Sequence, residues 1–222
     1  AITGVSRSIA LNRLFRARGW IAVRNELGRE LLDCGASQVF AIADHQVAHV
    51  YVNNPSLRND VRTLLTDTPG IAQVIGPEAR GAAGLEHARA GDFIAVADTD
   101  AWFTYYYWED DRRAPDFARC VDIHRKYGYD PAELFIDPAV SFPMLRVAWK
   151  LLQKRIGMRM LMNLTPLDPS LVKGSHGAIP ADTRDWPVLI ADHADLPAQT
   201  TALQVHQHLL RSEEHTSELQ SP

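Results

Sequence analysis

VFAIADHQVAHVYVNNPSLRNDVRTLLTDTPGIAQVI, residues 39–75, is the stretch whose reading decides the fold. An apolar run over residues 39–43 leads into Asp44, His45 and Gln46, and residues 49–52 alternate as a half-buried strand does. Asn53, Asn54 and Pro55 are turn chemistry. Residues 57–66 then set Val61, Leu64 and Leu65 on one helical face. Pro69 and Gly70 stop that helix, and residues 71–75 form a further strand. Strand, helix and strand in so short a span predict a small α/β unit of split β-α-β type.

The flanking sequence extends the pattern. Residues 8–18 carry Ile9, Leu11, Leu14 and Phe15 at helical spacing, with Gly19 as the stop. Residues 20–24 read as a short strand and residues 26–33 as a helical turn or loop. A strand over residues 93–97 leads into an aromatic run from Trp102 to Trp108. That run predicts a core strand or packed loop, because no basic groove accompanies it as base stacking would need. Residues 142–162 form a long helix carrying Arg146, Lys150, Lys154, Arg155 and Arg159. Such a helix can lie on a membrane, but a core helix with a solvated basic face is the favoured expectation. Residues 188–191 read as a last strand and residues 200–210 as a terminal helix. Strands alternating with helices predict an α/β fold with a mostly parallel sheet flanked by helices. In such sheets, active residues sit in loops beyond the carboxyl ends of strands.

The 222 residues can bury a sizeable core, as one domain or a domain with a subdomain. The net charge of −4 argues against a general nucleic-acid binder. Cys34 and Cys120 offer neither a disulfide framework nor zinc-finger spacing, and they fit a reducing cytosol. No apolar run is long enough to span a bilayer, so no membrane partner is expected. The chain opens on Ala1 rather than Met and reads as the middle of a longer protein. Residues 211–222 resemble the translation of a short-read sequencing adapter and are set aside from the fold.

Lys173-Gly-Ser-His-Gly177 frames one histidine with glycines, which permit close backbone approach and positive φ. Three Asp/His groupings accompany it: Asp44 with His45, Asp122 with His124, and Asp192 with His193. Carboxylate and imidazole together suit zinc and similar divalent ions. Each pair alone is a weak signal in a chain with nine histidines.

Four segments carry a resemblance. Residues 4–20, residues 90–98, the Asp122–Pro131 stretch and the Lys173–Gly177 turn resemble the C-terminal half of a bacterial alkaline-phosphatase-superfamily protein. The branch is the nucleotide pyrophosphatase/phosphodiesterase type, and the resemblance runs over residues 2–210. It implies an alkaline-phosphatase-like α/β domain over residues 1–210, with a cap subdomain over about residues 36–100. It also implies hydrolysis of a phosphodiester or pyrophosphate bond in a small phosphorylated substrate, with two divalent ions, normally zinc. The nucleophile would lie upstream of Ala1, so this portion alone would be inactive.

By the same resemblance His176 is the last metal ligand. Asp44 and His45 match the family's Asp-His pair locally, although Gln46 stands where the family has glycine. A second, slightly preferred alignment places that pair before Ala1 and leaves Asp44, His45 and His49 on a cap strand. Asp122, His124, Arg125 and Lys126 would be either a substrate loop meeting phosphate oxygens or a surface loop tied by its own ion pairs. Two other outcomes stay open: a relative that cleaves a carbon–phosphorus bond, as phosphonoacetate hydrolases do, and a non-catalytic binding protein on the same fold.

Overall fold

A computed structural model describes residues 2–122, 124–180, 182–190, 197–202, 204–208 and 210. The chain divides into two compact units, Ala1–Trp186 and Pro187–Pro222. In the first unit the elements run β1 (Thr3–Gly4), β2 (Arg7–Ile9), α1 (Leu11–Ala17), β3 (Val23–Glu26), β4 (Arg29–Leu32), β5 (Val39–Asp44) and β6 (Val47–Val52). They continue with α2 (Arg58–Asp67), β7 (Ile71–Ile75), β8 (Phe93–Ala97), β9 (Ala101–Phe103), β10 (Gly128–Tyr129), α3 (Pro143–Arg155) and β11 (Gly174–Ser175).

The main sheet has five strands in the order β10-β5-β6-β8-β7. The strands β6 and β7 both run antiparallel to β8, which lies between them, with α2 as their connection. This is the split β-α-β arrangement expected from residues 39–75. Within the sheet, however, only the β10–β5 pairing is parallel; β5–β6, β6–β8 and β7–β8 are antiparallel. The mostly parallel sheet expected from the sequence is therefore corrected to a mostly antiparallel one. The cause is local: β5 and β6 are joined by His45 and Gln46 alone, and a two-residue connection can only reverse the chain.

Alternation sorts the side chains of β5 and β6. Val39, Ala41, Ala43, Ala48, Val50 and Val52 face the core, joined there by Val61 and Leu65 of α2. The same core takes Leu11 and Phe15 of α1. Asn12 fastens α1 to β5 as an extra strand would: its amide Nδ2 donates to Ala41 O at 2.9 Å, and Ala41 N donates to its Oδ1 at 2.8 Å. A buried amide paired on both sides avoids the desolvation cost an apolar neighbour would impose.

A second cluster forms around the aromatic run. Tyr105, Tyr106, Tyr107 and Trp108 are fully buried in a packed loop, with rings in edge-to-face and tilted contact at 4.7–5.4 Å. The expected core role is met by a run that begins in β9 with Trp102 and Phe103 and continues as a packed loop. Residues 26–33, expected as a helical turn or loop, instead include β4, the return strand of a hairpin with β3. Glu30 in that strand is buried and paired with Arg16 and Arg113, which hides the apolar alternation a strand normally shows.

The helix expected over residues 142–162 is shorter, ending at Arg155, and none of its residues is buried. Residues 188–190 of the second unit form no strand. There, residues 204–208 are helical, and Gln204 Oε1 accepts from Thr201 N at 2.9 Å in the manner of a capping box. No helix among the described residues is long and apolar enough to cross a membrane.

Candidate functional site

The tip of the β5–β6 hairpin meets the Lys173–Gly177 turn. His45 sits at the first loop position with φ +55°, a left-handed conformation uncommon for residues other than glycine. Gln46 follows and is fully buried. Its backbone N donates to His176 O at 3.0 Å, and its Oε1 accepts from Ala178 N at 3.2 Å. Its amide Nε2 reaches Asp98 O, Thr99 O and Ala101 O at 3.1–3.2 Å. One side chain therefore ties the hairpin tip to the β8–β9 turn and to the residues around His176. Gly177 makes room for this contact, since a Cβ there would sit 3.3 Å from Val47 Cγ2 on a backbone at φ +117°.

The result is a histidine pair. The His45 and His176 rings lie 3.9 Å apart between centroids, tilted by 33°. His45 Nδ1 is hydrogen-bonded to Ser175 Oγ at 3.1 Å, so Nε2 is the ring nitrogen that bond leaves over. His45 also stacks on Tyr129 at 4.8 Å. Burial lowers the His45 pKa first, the neighbouring His176 lowers it further, and Asp44 opposes both. The imidazole is thereby favoured in its neutral form, which carries the lone pair a metal ligand needs. His176 and Asp44 are exposed.

Tyr129 is brought to His45 by β10. Gly128 pairs with Ala43 and Tyr129 with Asp44. A Cβ on Gly128 would fall 1.5 Å from Ala43 O, so only glycine lets this strand lie down, at φ +113°. The stretch from Asp122 to Pro131 is therefore adjacent to the Asp44–His45 hairpin. Within it Lys126 is corrected from the expected phosphate-binding role. Its ammonium is fully enclosed, donates to Cys120 O at 2.7 Å, and lies 2.5 Å from Glu133 and 3.8 Å from Asp130. Its charge holds the loop and cannot reach a substrate. Arg125 pairs on the surface with Asp122 at 3.5 Å and Asp116 at 3.9 Å. Together with exposed His124, Arg24, Arg159 and Ile42 it lines an open cleft of about 690 Å³. Asp192 and His193 lie outside the described residues.

Sequence reasoning passed over three residues of this site. Gln46 counted against the hairpin as a departure from glycine, yet it is the clamp. Ser175 and Tyr129 carry no sequence signal of their own, because their roles arise only when three separate segments converge.

The family model described as type I phosphodiesterase / nucleotide pyrophosphatase matches residues 2–130, more than half of the chain. The chain belongs to this family. The match takes in Asp44, His45 and Tyr129 and ends before His176. Among curated proteins none matches. Solved structures similar to the chain include phosphonoacetate hydrolase from Sinorhizobium meliloti 1021 in complex with phosphonoacetate, at 14% identity and TM-score 0.34, over 48% of this chain and 27% of that one. The same enzyme in complex with phosphonoformate matches at 15% identity and TM-score 0.36, over 51% and 28%. The chain thus spans a little over a quarter of the length of those structures.

The family implies divalent metals. Two neighbouring imidazoles, one of them favoured neutral, are suitable donors for zinc. Among the described residues, however, no group of three His, Cys, Asp or Glu side chains converges as a metal-binding cluster. The residues present fit a share of such a centre and not a whole one.

Proposed function

We infer that the full-length protein hydrolyses a phosphodiester or pyrophosphate bond, and that this chain supplies the His45–His176 face of the reaction centre. The observation that carries the reading is the 3.9 Å approach of the two rings, produced by a hairpin tip and a glycine-framed turn 130 residues apart in a chain of this family. His176 and His45 are donors to divalent ions, zinc being the ion their chemistry suits, with Asp44 beside them. When bound, such ions neutralise charge on the attacking and leaving oxygens of a phosphoryl transfer. The chain's own contribution is orientation: Ser175 fixes one edge of His45, Tyr129 covers its face, and Gln46 sets the hairpin on the His176 turn. The substrate is a small phosphorylated molecule. His124, Arg125, Arg24 and Arg159 around the open cleft are the groups on this chain suited to its anionic remainder.

The test is hydrolysis of bis(p-nitrophenyl) phosphate by the protein at family length. Activity removed by a chelator and restored by zinc is expected. His176→Ala and His45→Ala should each lower kcat/KM at least roughly 10–100-fold, the loss typical of even indirect metal partners. Full activity in His176→Ala would remove the site. Full activity in His45→Ala alone would return His45 to a purely structural strand end.

A further inference from the structure

The strand that brings Tyr129 to His45 is too short to hold itself. β10 has two residues and, among the described residues, pairs with β5 alone. Pairing of that length supplies few ladder bonds. What flanks the strand is a buried ammonium. Lys126 stands two residues before Gly128, and its Nζ donates to Cys120 O at 2.7 Å, where the loop leading to β10 begins. The same Nζ lies 3.8 Å from Asp130 Oδ2, just beyond the strand, and 2.5 Å from Glu133 Oε1 in the turn that follows. Asp130 also starts that turn, its Oδ1 accepting from Ala132 N at 3.1 Å. One side chain therefore ties the chain entering β10 to the chain leaving it.

A group of this kind is a poor source of stability. The three side chains are at most 4% exposed, and one positive charge faces two carboxyls. Burial raises the Asp130 carboxyl to about 6 in spite of Lys126, so the ammonium does not compensate both. Taking such charges out of water offsets most of their attraction, and apolar side chains of similar volume commonly serve as well or better. A costly group beside a site is retained for where it puts its neighbours. We propose that Lys126, tied to Asp130 and Glu133, is a positioning residue of the reaction centre: it sets β10 against β5 and so keeps the Tyr129 ring on His45. The inference rests on the reading of His45 as part of that centre. With the tie removed, Tyr129 leaves the hairpin tip, and of its two orienting contacts His45 keeps only the bond to Ser175 Oγ. Outer partners of this kind fix the direction in which an imidazole presents its free nitrogen.

The experiment replaces the whole group, Lys126→Met with Asp130→Asn and Glu133→Leu, in the protein at family length. Asp130→Asn keeps an acceptor oxygen for Ala132 N. Three quantities are read: the urea-unfolding midpoint, the nuclear Overhauser contact between the Tyr129 and His45 rings, and kcat and KM for bis(p-nitrophenyl) phosphate. An unchanged or raised midpoint is expected, together with loss of the ring contact. The kcat should fall roughly tenfold while KM stays within about twofold. Glu133→Gln alone leaves Nζ an acceptor and should retain the ring contact; its loss there would count against the tie. Three results of the triple variant would overturn the proposal. One is a ring contact that survives. Another is a midpoint that falls as the contact is lost, which would make the group an ordinary stabiliser. The third is loss of the contact with the parent's kcat retained, while His45→Ala is inactive. A parent without activity, or His45→Ala with full activity, is a separate failure: it removes the reading of His45 on which the inference rests, and the inference with it.

Discussion

The buried group Lys126, Asp130 and Glu133 sets two carboxyls against one ammonium, with Lys126 Nζ 5.9 Å from the centroid of the Tyr105 ring. Burial pushes Asp130 from 3.8 up to about 6, and Glu133 adds to the rise. Lys126 and the Ala132 N–H, 3.1 Å from Oδ1, oppose it without cancelling it. A carboxyl whose folded pKa exceeds its unfolded value holds an extra proton in the fold between the two. Unfolding releases that proton, so its contribution to stability falls as pH rises from about 4 through about 6. A shift of about two units corresponds to about 3 kcal/mol. Asp130→Asn, which mimics the protonated side chain, isolates this contribution. The difference in urea-unfolding free energy between variant and parent should move in favour of the variant by about 3 kcal/mol from about pH 4 to about pH 7.5. A difference that stays flat with pH would refute the reasoning. So would one that moves in favour of the parent, since Lys126 would then dominate and hold Asp130 ionised.

Two further substitutions probe how the site is held. Gly128→Ala forces a Cβ onto Ala43 O on a backbone at φ +113°, so β10 must leave β5. A loss of about 2 kcal/mol or more in urea unfolding is expected, together with loss of the nuclear Overhauser contact between the Tyr129 and His45 rings. Gln46→Ala removes the donor to the buried carbonyl of Ala101, while Asp98 O keeps Ala101 N and Thr99 O keeps Thr3 Oγ1, and should cost about 1–3 kcal/mol. In that variant the Ala178 amide, whose acceptor is Gln46 Oε1, should exchange with solvent faster, and an unchanged exchange rate would count against the clamp.

Much of the fold was legible because its strands and helices are bounded by strong local signals. The runs at 39–43, 71–75 and 93–97 and the helix before Pro69 and Gly70 are all found within a residue or two of where periodicity puts them. Direction was misread. Alternating strands and helices suggest parallel crossovers, yet the two residues between Asp44 and Val47 already required a reversal. Lys126 looked like an anion contact because lysines are normally solvated; its burial depends on Asp130, Glu133 and Cys120 closing around it, which no local pattern records. The helix α3 is the converse case, where periodicity is right and the apolar side, with Leu145, Trp149 and Ile156, stays exposed.

His176 was legible as a glycine-framed histidine. That His45 stands against it was one of two alignments the sequence allowed, and not the preferred one, because the contact depends on Gln46 tying the hairpin tip to three other segments. The most direct test is a titration with cobalt(II), a paramagnetic ion that takes imidazole sites as zinc does. It is read by NMR of histidine ring protons and needs only weak binding. The His45 and His176 signals should shift and broaden together at the lowest cobalt concentrations, before those of His49 and His87. If either ring responds without the other, or both respond no earlier than His49 and His87, the two do not form one site.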